Sequence, residues 1–127
     1  MARASFATAI NCMDGRTQFP VNAYLRATCG VDYVDTITEP GPNLILCTRE
    51  DAAVLESMRR RVAISVTRHG SCCIAIVGHH DCAGNPADER TQQDHTRAAI
   101  ATVRSWGLDA EVIGLWVDAT WTVHPVA

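Results

Sequence analysis

The chain has 127 residues, a net charge of −3 and an apolar fraction of 47%. This length suits one domain, residues 1–127, and the apolar fraction excludes a disordered chain. The charge predicts no affinity for nucleic acid or for anionic membranes, and no apolar run approaches the roughly 20 residues that span a membrane.

Apolar, β-branched runs alternate with helical patterns along the chain. The predicted elements are a strand at 6–13, a helix at 20–28, a strand at 31–38, a helix at 49–68, a strand at 71–78, a helix at 88–106 and a strand at 111–117. Pro20 suits a first helical turn, and Gly30, Gly70 and Gly107 suit helix exits. Alternation of this kind predicts an α/β domain with a mainly parallel, four-stranded sheet.

Six cysteines are present, and the N-terminus has no long apolar core typical of a secretion signal. The expected location is therefore the cytoplasm, where cysteines are thiols or metal ligands. Cys72 and Cys73 lie in an apolar run and are predicted to act as small buried hydrophobes, whereas Cys29 and Cys47 have no neighbours that suggest chemistry.

Two polar motifs follow the first and third predicted strands. "NCMDGR" occupies residues 11–16, and "VGHHDC" occupies residues 77–82. In open α/β sheets, binding sites lie at the carboxyl ends of strands where the strand order reverses. If these two strands are neighbours, Cys12, His79 and Cys82 converge on one point.

Two thiolates and an imidazole are a ligand set for zinc, and three protein ligands leave a fourth position open, as in catalytic sites. Zinc would acidify a bound water, Asp14 would accept its proton and orient it, and Arg16 would keep Asp14 ionised and aimed. Each part also has a plainer interpretation. Cys12 alone suits a core position, Asp14 and Arg16 suit an exposed ion pair, and residues 79–81 suit a helix cap.

The two motifs resemble those of β-class carbonic anhydrases. Cys12-Met-Asp14-Gly-Arg16 is similar to their Cys-x-Asp-x-Arg motif, and Gly78-His79-His80-Asp81-Cys82 is similar to their Gly-His-x-x-Cys segment. The "GHHDCAGNP" and "IGLWVD" stretches resemble most a short branch of carbonic anhydrase-like proteins. The glycine that usually follows the second cysteine in this family is Ala83 here.

The resemblance implies an α/β fold with a sheet of order 2-1-3-4, helices on both faces, and zinc at the strand ends. It implies that Cys12, His79 and Cys82 are the metal ligands and that Asp14 and Arg16 are the catalytic pair. The family spacing favours His79 over His80 as the ligand. Gln18 and Phe19 are candidates for the substrate pocket.

The expected function is a zinc lyase that hydrates carbon dioxide reversibly to bicarbonate. Alternatives are a hydrolase of carbonyl sulfide or carbon disulfide on the same site, a non-catalytic zinc-binding module, and a redox-sensitive protein in which Cys12 pairs with Cys82. Asp14 is either a hydrogen-bond acceptor for the zinc-bound hydroxide or, with Arg16 turned away, a fourth zinc ligand.

The run "VIGLWVDATWTV" near the C-terminus is long and apolar. Such a run at a sheet edge favours association unless it is covered. A homodimer is therefore predicted. Trp106, Trp116 and Trp121 are predicted to be core or interface residues.

Overall fold

The computed structural model describes residues 3–126 of the chain. The elements run in the order β1 (Phe6–Cys12), α1 (Gly15–Cys29), β2 (Tyr33–Glu39), α2 (Pro42–Thr48), α3 (Ala52–His69), β3 (Cys73–His79), α4 (Glu89–Arg104), β4 (Glu111–Val117) and β5 (Val123–Pro125). The predicted single domain, 1–127, includes residues 1, 2 and 127, which lie outside the described part.

One sheet of five strands, in the order β2-β1-β3-β4-β5, runs through the structure. The first four strands are parallel, which confirms the predicted order 2-1-3-4, and β5 pairs antiparallel with β4. The chain moves from β1 to one side for β2 and returns to the other side for β3. The strand order therefore reverses between β1 and β3, the two strands that end in the polar motifs.

Helices cover both faces of the sheet, as predicted. One core cluster packs α2, α3 and α4 against residues such as Ile10, Ile74 and Ile76. A second cluster packs α1 against Ala9, Ala75 and neighbouring strand residues. Alternate residues of β1 and β3 thus face opposite clusters, which is why these central strands are apolar almost throughout.

Helix α1 begins five residues before the predicted start. Asp14 caps it by accepting a hydrogen bond from the backbone N–H of Arg16 (2.9 Å), so Pro20 lies inside the helix and not in its first turn. The predicted exit is correct, since Gly30 follows the helix in a left-handed conformation (φ 63°).

The helix predicted at 49–68 is α3, which Asp51 caps and Gly70 ends. Between the strand predicted at 31–38 and the helix predicted at 49–68, the structure has an additional helix, α2, with Pro42 in its first turn. Gly107 has a positive φ, as a helix exit requires, but α4 already ends at Arg104. Cys73 is buried as predicted, whereas Cys72 is exposed.

The apolar run near the C-terminus is not an open edge. Its β4 part is largely buried, Trp116 is buried, and β5 pairs along the carboxyl half of β4. Strand β5 has three residues, too few for a recognisable pattern, and was not predicted. None of the helices in the described residues is long and apolar enough to cross a membrane.

Candidate metal centre

The carboxyl ends of β1 and β3 bring Cys12, His79 and Cys82 together. Cys12 is the last residue of β1, His79 is the last residue of β3, and Cys82 follows three residues later. All three are buried, and their ligand atoms lie within 4.8 Å of one another. In the described part of the chain, this is the only cluster of histidine, cysteine and acidic residues with metal-binding geometry.

The two sulfur atoms lie 3.8 Å apart. The hydrogen bond from Cys82 lowers the pKa of Cys12 to about 4 despite burial, and the His79 ring and the backbone of Gly41 and Asp14 add to the effect. The same bond to Cys12 and burial raise the pKa of Cys82, although hydrogen bonds from the Asn85 and Gly84 backbone oppose this. One thiolate thus forms readily, and backbone donors surround both sulfurs.

The His79 ring is oriented to offer Nε2 to the cluster. Its Nδ1 lies 2.7 Å from the carbonyl oxygen of His80 and donates to it, which leaves the lone pair on Nε2. Nε2 is buried and has no hydrogen-bond partner. Burial opposes protonation of His79, but the Cys12 sulfur and the His80 carbonyl outweigh it and raise the pKa of the ring. The His80 side chain is exposed and outside the cluster.

Asp14 lies at the rim of the cluster, with Oδ2 4.0 Å from Nε2 of His79. Arg16 holds the carboxylate in a fork, with Nη2 2.7 Å from Oδ2 and Nε 3.0 Å from Oδ1. Hydrogen bonds from the Arg16 side chain hold the pKa of Asp14 at about 2. The structure therefore has Asp14 paired with Arg16.

The loop after β2, at Pro40–Gly41, and the loop after β3, at Gly84, are in backbone-to-backbone contact next to the two sulfurs. A Cβ on Gly84 would lie 2.4 Å from the carbonyl carbon of Pro40, and one on Gly41 would lie 2.6 Å from the carbonyl carbon of Gly84. Only glycine permits this approach. Ala83, which precedes Gly84, is exposed and takes no part in this contact.

A buried polar network fixes the backbone of His79. Gln92 of α4 is 1% exposed, its Nε2 donates to the carbonyls of His79 (2.8 Å) and Asn85 (3.0 Å), and its Oε1 accepts from the His79 N–H (3.3 Å). Asn43 of α2 donates in turn to Gln92 Oε1 (3.3 Å). Side-chain amides of helices α2 and α4 thereby fix the backbone of His79.

Several residues of α1, α4 and the turn after β4 make contacts that the sequence does not predict. Gln18 donates to the Cys12 carbonyl (2.7 Å), and Phe19 is 82% exposed in the single chain. Trp121 lies over Arg16, with the guanidinium carbon 4.5 Å from the ring centroid. No spacing rule links Trp121 or Gln92 to the motifs, because the fold alone brings them there.

The donor set fits a metal ion. A buried imidazole nitrogen without a partner points into the cluster, and two sulfurs within 4 Å face it. Sulfur and imidazole ligands of this kind suit thiophilic transition metals and not calcium or magnesium. The cluster is therefore a candidate metal centre, and Cys12, His79 and Cys82 are the residues that could hold the ion.

Residues 2–127 match the model of a protein family described as "Putative carbonic anhydrase". No curated protein matches the chain. Among solved structures, the chain is similar to a tetrameric β-carbonic anhydrase from the filamentous ascomycete Sordaria macrospora (TM-score 0.62, 16% identity, 98% of this chain and 81% of that chain). A β-carbonic anhydrase from Trichomonas vaginalis is also similar (0.61, 16%, 96% and 80%), as is a carbon disulfide hydrolase (0.57, 13%, 96% and 77%). These similarities establish the fold.

Proposed function

The chain belongs to the Putative carbonic anhydrase family, and on that premise we propose that it is a zinc enzyme that hydrates carbon dioxide to bicarbonate. The observation that carries this proposal is the geometry of Cys12, His79 and Cys82 beside an arginine-held Asp14. In a tetrahedral site with Zn–S bonds of about 2.3 Å, two sulfurs lie about 3.8 Å apart. The Cys12 and Cys82 sulfurs already have this separation, 3.8 Å.

Zinc held by two thiolates and an imidazole would supply a Lewis acid that lowers the pKa of water at its open position. The protein's own groups would direct the reaction. Asp14 accepts a hydrogen bond from the attacking water and fixes its orientation, because Arg16 keeps the carboxylate ionised and in place. One bond forms between the water oxygen and the carbon of carbon dioxide, and one proton leaves to solvent.

Replacement of Asp14 tests this role. We expect zinc-loaded Asp14→Asn to keep its metal and to lose about 100-fold of the carbon dioxide hydration rate, since loss of the correct orientation of a reacting group costs about this much. Asp94→Asn is the matched control, because Asp94 also pairs with an arginine, Arg97 (2.9 Å), but lies exposed on α4. Full activity in Asp14→Asn would rule out a catalytic role for this carboxylate.

The same site suits a second substrate class. A hydrolase of carbon disulfide shares the fold, and carbon disulfide and carbonyl sulfide are linear electrophiles like carbon dioxide. Parallel assays of the zinc-loaded protein on the three substrates rank them. Activity on none of them would favour a zinc-binding module without catalysis.

We further propose that the chain forms a homodimer. Met13, which directly follows Cys12, is 64% exposed, and Phe19 of α1 is 82% exposed; exposed apolar side chains of this size favour association. A relative in Sordaria macrospora is tetrameric. Phe19→Asp should shift the light-scattering mass toward the monomer, whereas Ile64→Asp, at another exposed apolar position on α3, should not. A monomeric wild-type protein at micromolar concentration would contradict the proposal.

We also propose that residues 1–127 form one domain and act in the cytoplasm. A single sheet joins all the described strands. The two sulfurs of the centre are close enough to be vulnerable to oxidation, and metal binding requires them reduced. Limited proteolysis that yields a stable smaller core, or secretion of the protein by its host, would contradict these two proposals respectively.

A further inference from the structure

The guanidinium of Arg16 is held from three sides. Asp14 takes two of its nitrogens in a fork. On another side, Nη1 donates to Oδ2 of Asp81 (3.2 Å) and Nη2 donates to the Asp81 carbonyl (3.2 Å). The Trp121 ring covers the guanidinium carbon at 4.5 Å, within the range of a cation–π contact. Two residues outside the Asp14–Arg16 pair therefore determine where this arginine lies.

Both of these residues have an unusual backbone. Among the described residues, only Arg49, Asp81 and Trp121 have a positive φ without being glycine. Asp81 has φ 57° and Trp121 has φ 62°, and a bulky residue such as tryptophan rarely adopts this conformation. Backbone strain persists only where the surroundings determine it, and it concentrates at functional sites. Here two of the three strained residues contact the same guanidinium.

The turn between β4 and β5 holds Trp121 in this conformation. The Trp121 N–H donates to the Asp118 carbonyl (2.9 Å), and Oδ1 of Asp118 accepts from the N–H groups of Thr120 (2.9 Å) and Thr122 (3.0 Å). Oδ2 of Asp118 lies 2.7 Å from Nε2 of His124 on β5. Asp118 thus organises the whole turn, and the turn places the indole over Arg16.

We propose that Trp121 and Asp81 are positioning residues that keep Arg16 on Asp14. The inference rests on the proposed function, in which Asp14 must stay beside the metal without ligating it. With Oδ2 already 4.0 Å from Nε2 of His79, a carboxylate released by Arg16 has little distance to cover to reach the ligand cluster. Strand β5 and its turn therefore belong to the active site through Trp121, although they contribute no ligand.

The exchange of the Arg16 Nε–H with water, followed by NMR in the zinc-loaded protein, tests the proposal. Exchange requires the bond from Nε to Asp14 to open, so its rate reports the population of the released arginine. Trp121→Leu keeps the left-handed backbone but removes the ring, and we expect exchange to become about two- to fivefold faster, as the strength of an exposed cation–π contact implies. Trp121→Phe keeps a ring and should lie nearer the wild type.

Trp106→Leu is the matched control. Trp106 is also partly buried, but it packs against the core cluster on the α2–α4 side of the sheet. It should leave the Arg16 exchange rate unchanged even if it lowers stability. Equal exchange rates in Trp121→Leu and Trp106→Leu would overturn the proposal.

Asp81→Asn provides a second test if the Trp121 variants do not fold. Asparagine tolerates a positive φ and keeps the backbone carbonyl contact, so only the charge of Asp81 is lost. Faster Arg16 exchange in this variant supports the positioning role, and an unchanged rate removes Asp81 from it. Exchange does not depend on turnover, so a wild-type protein without carbon dioxide hydration would refute the proposed function and leave this test intact.

Discussion

Gln92 is buried and is not one of the three candidate ligands. It nevertheless forms hydrogen bonds with both the backbone N–H and the backbone carbonyl of His79. A buried backbone group left without a partner costs about 1–3 kcal/mol. The His79 ring is attached to this backbone. Its position therefore depends on the side chain of Gln92, which comes from helix α4.

We expect Gln92→Leu to destabilise the fold by about 1–3 kcal/mol for each backbone group left unpaired and to weaken zinc binding by about 10- to 100-fold. Denaturant unfolding and competition with a zinc chelator measure the two effects. Gln93→Leu is the control, because Gln93 bonds only to the exposed Glu89 (3.2 Å) and should change neither quantity. Wild-type zinc affinity in Gln92→Leu would show that the network is not needed for the ligand.

Among single residues, the sequence predicts which metal-binding residue types come together in the fold. Cys12, His79 and Cys82 can be identified from the sequence because of their residue types and their positions at the ends of predicted strands. In the structure their ligand atoms lie within 4.8 Å of one another. Trp121 is different. Its role follows from a left-handed turn and from a strand too short to recognise, so neither spacing nor composition reveals its contact with Arg16.

The loops after β2 and β3 meet where glycine is required. We expect Gly84→Ala to cost about 1–3 kcal/mol of stability, because its Cβ would lie 2.4 Å from the Pro40 carbonyl carbon and must push apart the loops that surround the two sulfurs. Zinc affinity should fall with it. Gly15→Ala is the matched control, since no atom lies within 4 Å of its Cβ, and it should be neutral or stabilising. Equal stability of the two variants would show that the loops separate freely.

The turn after β4 gives a prediction about acid. The bond to His124, with further bonds from Thr122 and Thr120, holds the pKa of Asp118 well below its usual range. A carboxylate whose pKa is lower in the folded state stabilises the protein above its unfolded value of about 3.9, and this stability is lost as the pH falls further.

Asp118→Asn does not titrate at this position. We therefore expect the wild type to lose more stability than Asp118→Asn between about pH 5 and pH 2, measured by thermal or urea unfolding. Asp94→Asn controls for the removal of one exposed negative charge. Parallel stability curves for the wild type and Asp118→Asn would contradict the role of Asp118 in the turn.

Element boundaries were predicted where local chemistry is decisive. Gly30 and Gly70 end α1 and α3 as expected, and the bounds of β4 match, because positive φ and a continuous apolar run are local signals. The start of α1 was missed because Asp14 serves two purposes. Its Oδ1 accepts from the Arg16 N–H and so begins the helix, and its Oδ2 accepts from the Arg16 side chain, so the motif hides the helix start.

For the whole molecule, the alternation of strands and helices predicts a parallel sheet. It also predicts that the candidate metal centre lies at the carboxyl ends of the strands. The reversal of strand order between β1 and β3 then makes the two motifs meet. Association is harder to predict. The apolar run that suggested a homodimer is paired with β5, whereas the exposed large apolar residues of the described chain, Met13, Phe19, Tyr33 and Ile64, lie outside this run.

The most direct test of the proposed zinc enzyme is the rate of carbon dioxide hydration while metal-free protein is titrated with zinc. We predict that the rate rises in proportion to added zinc and stops rising at about one zinc per chain, as expected for one three-ligand site. Cys82→Ser should gain little or no activity under the same titration. A protein that binds one zinc per chain and still hydrates no carbon dioxide, or one that is equally active without zinc, would contradict the account.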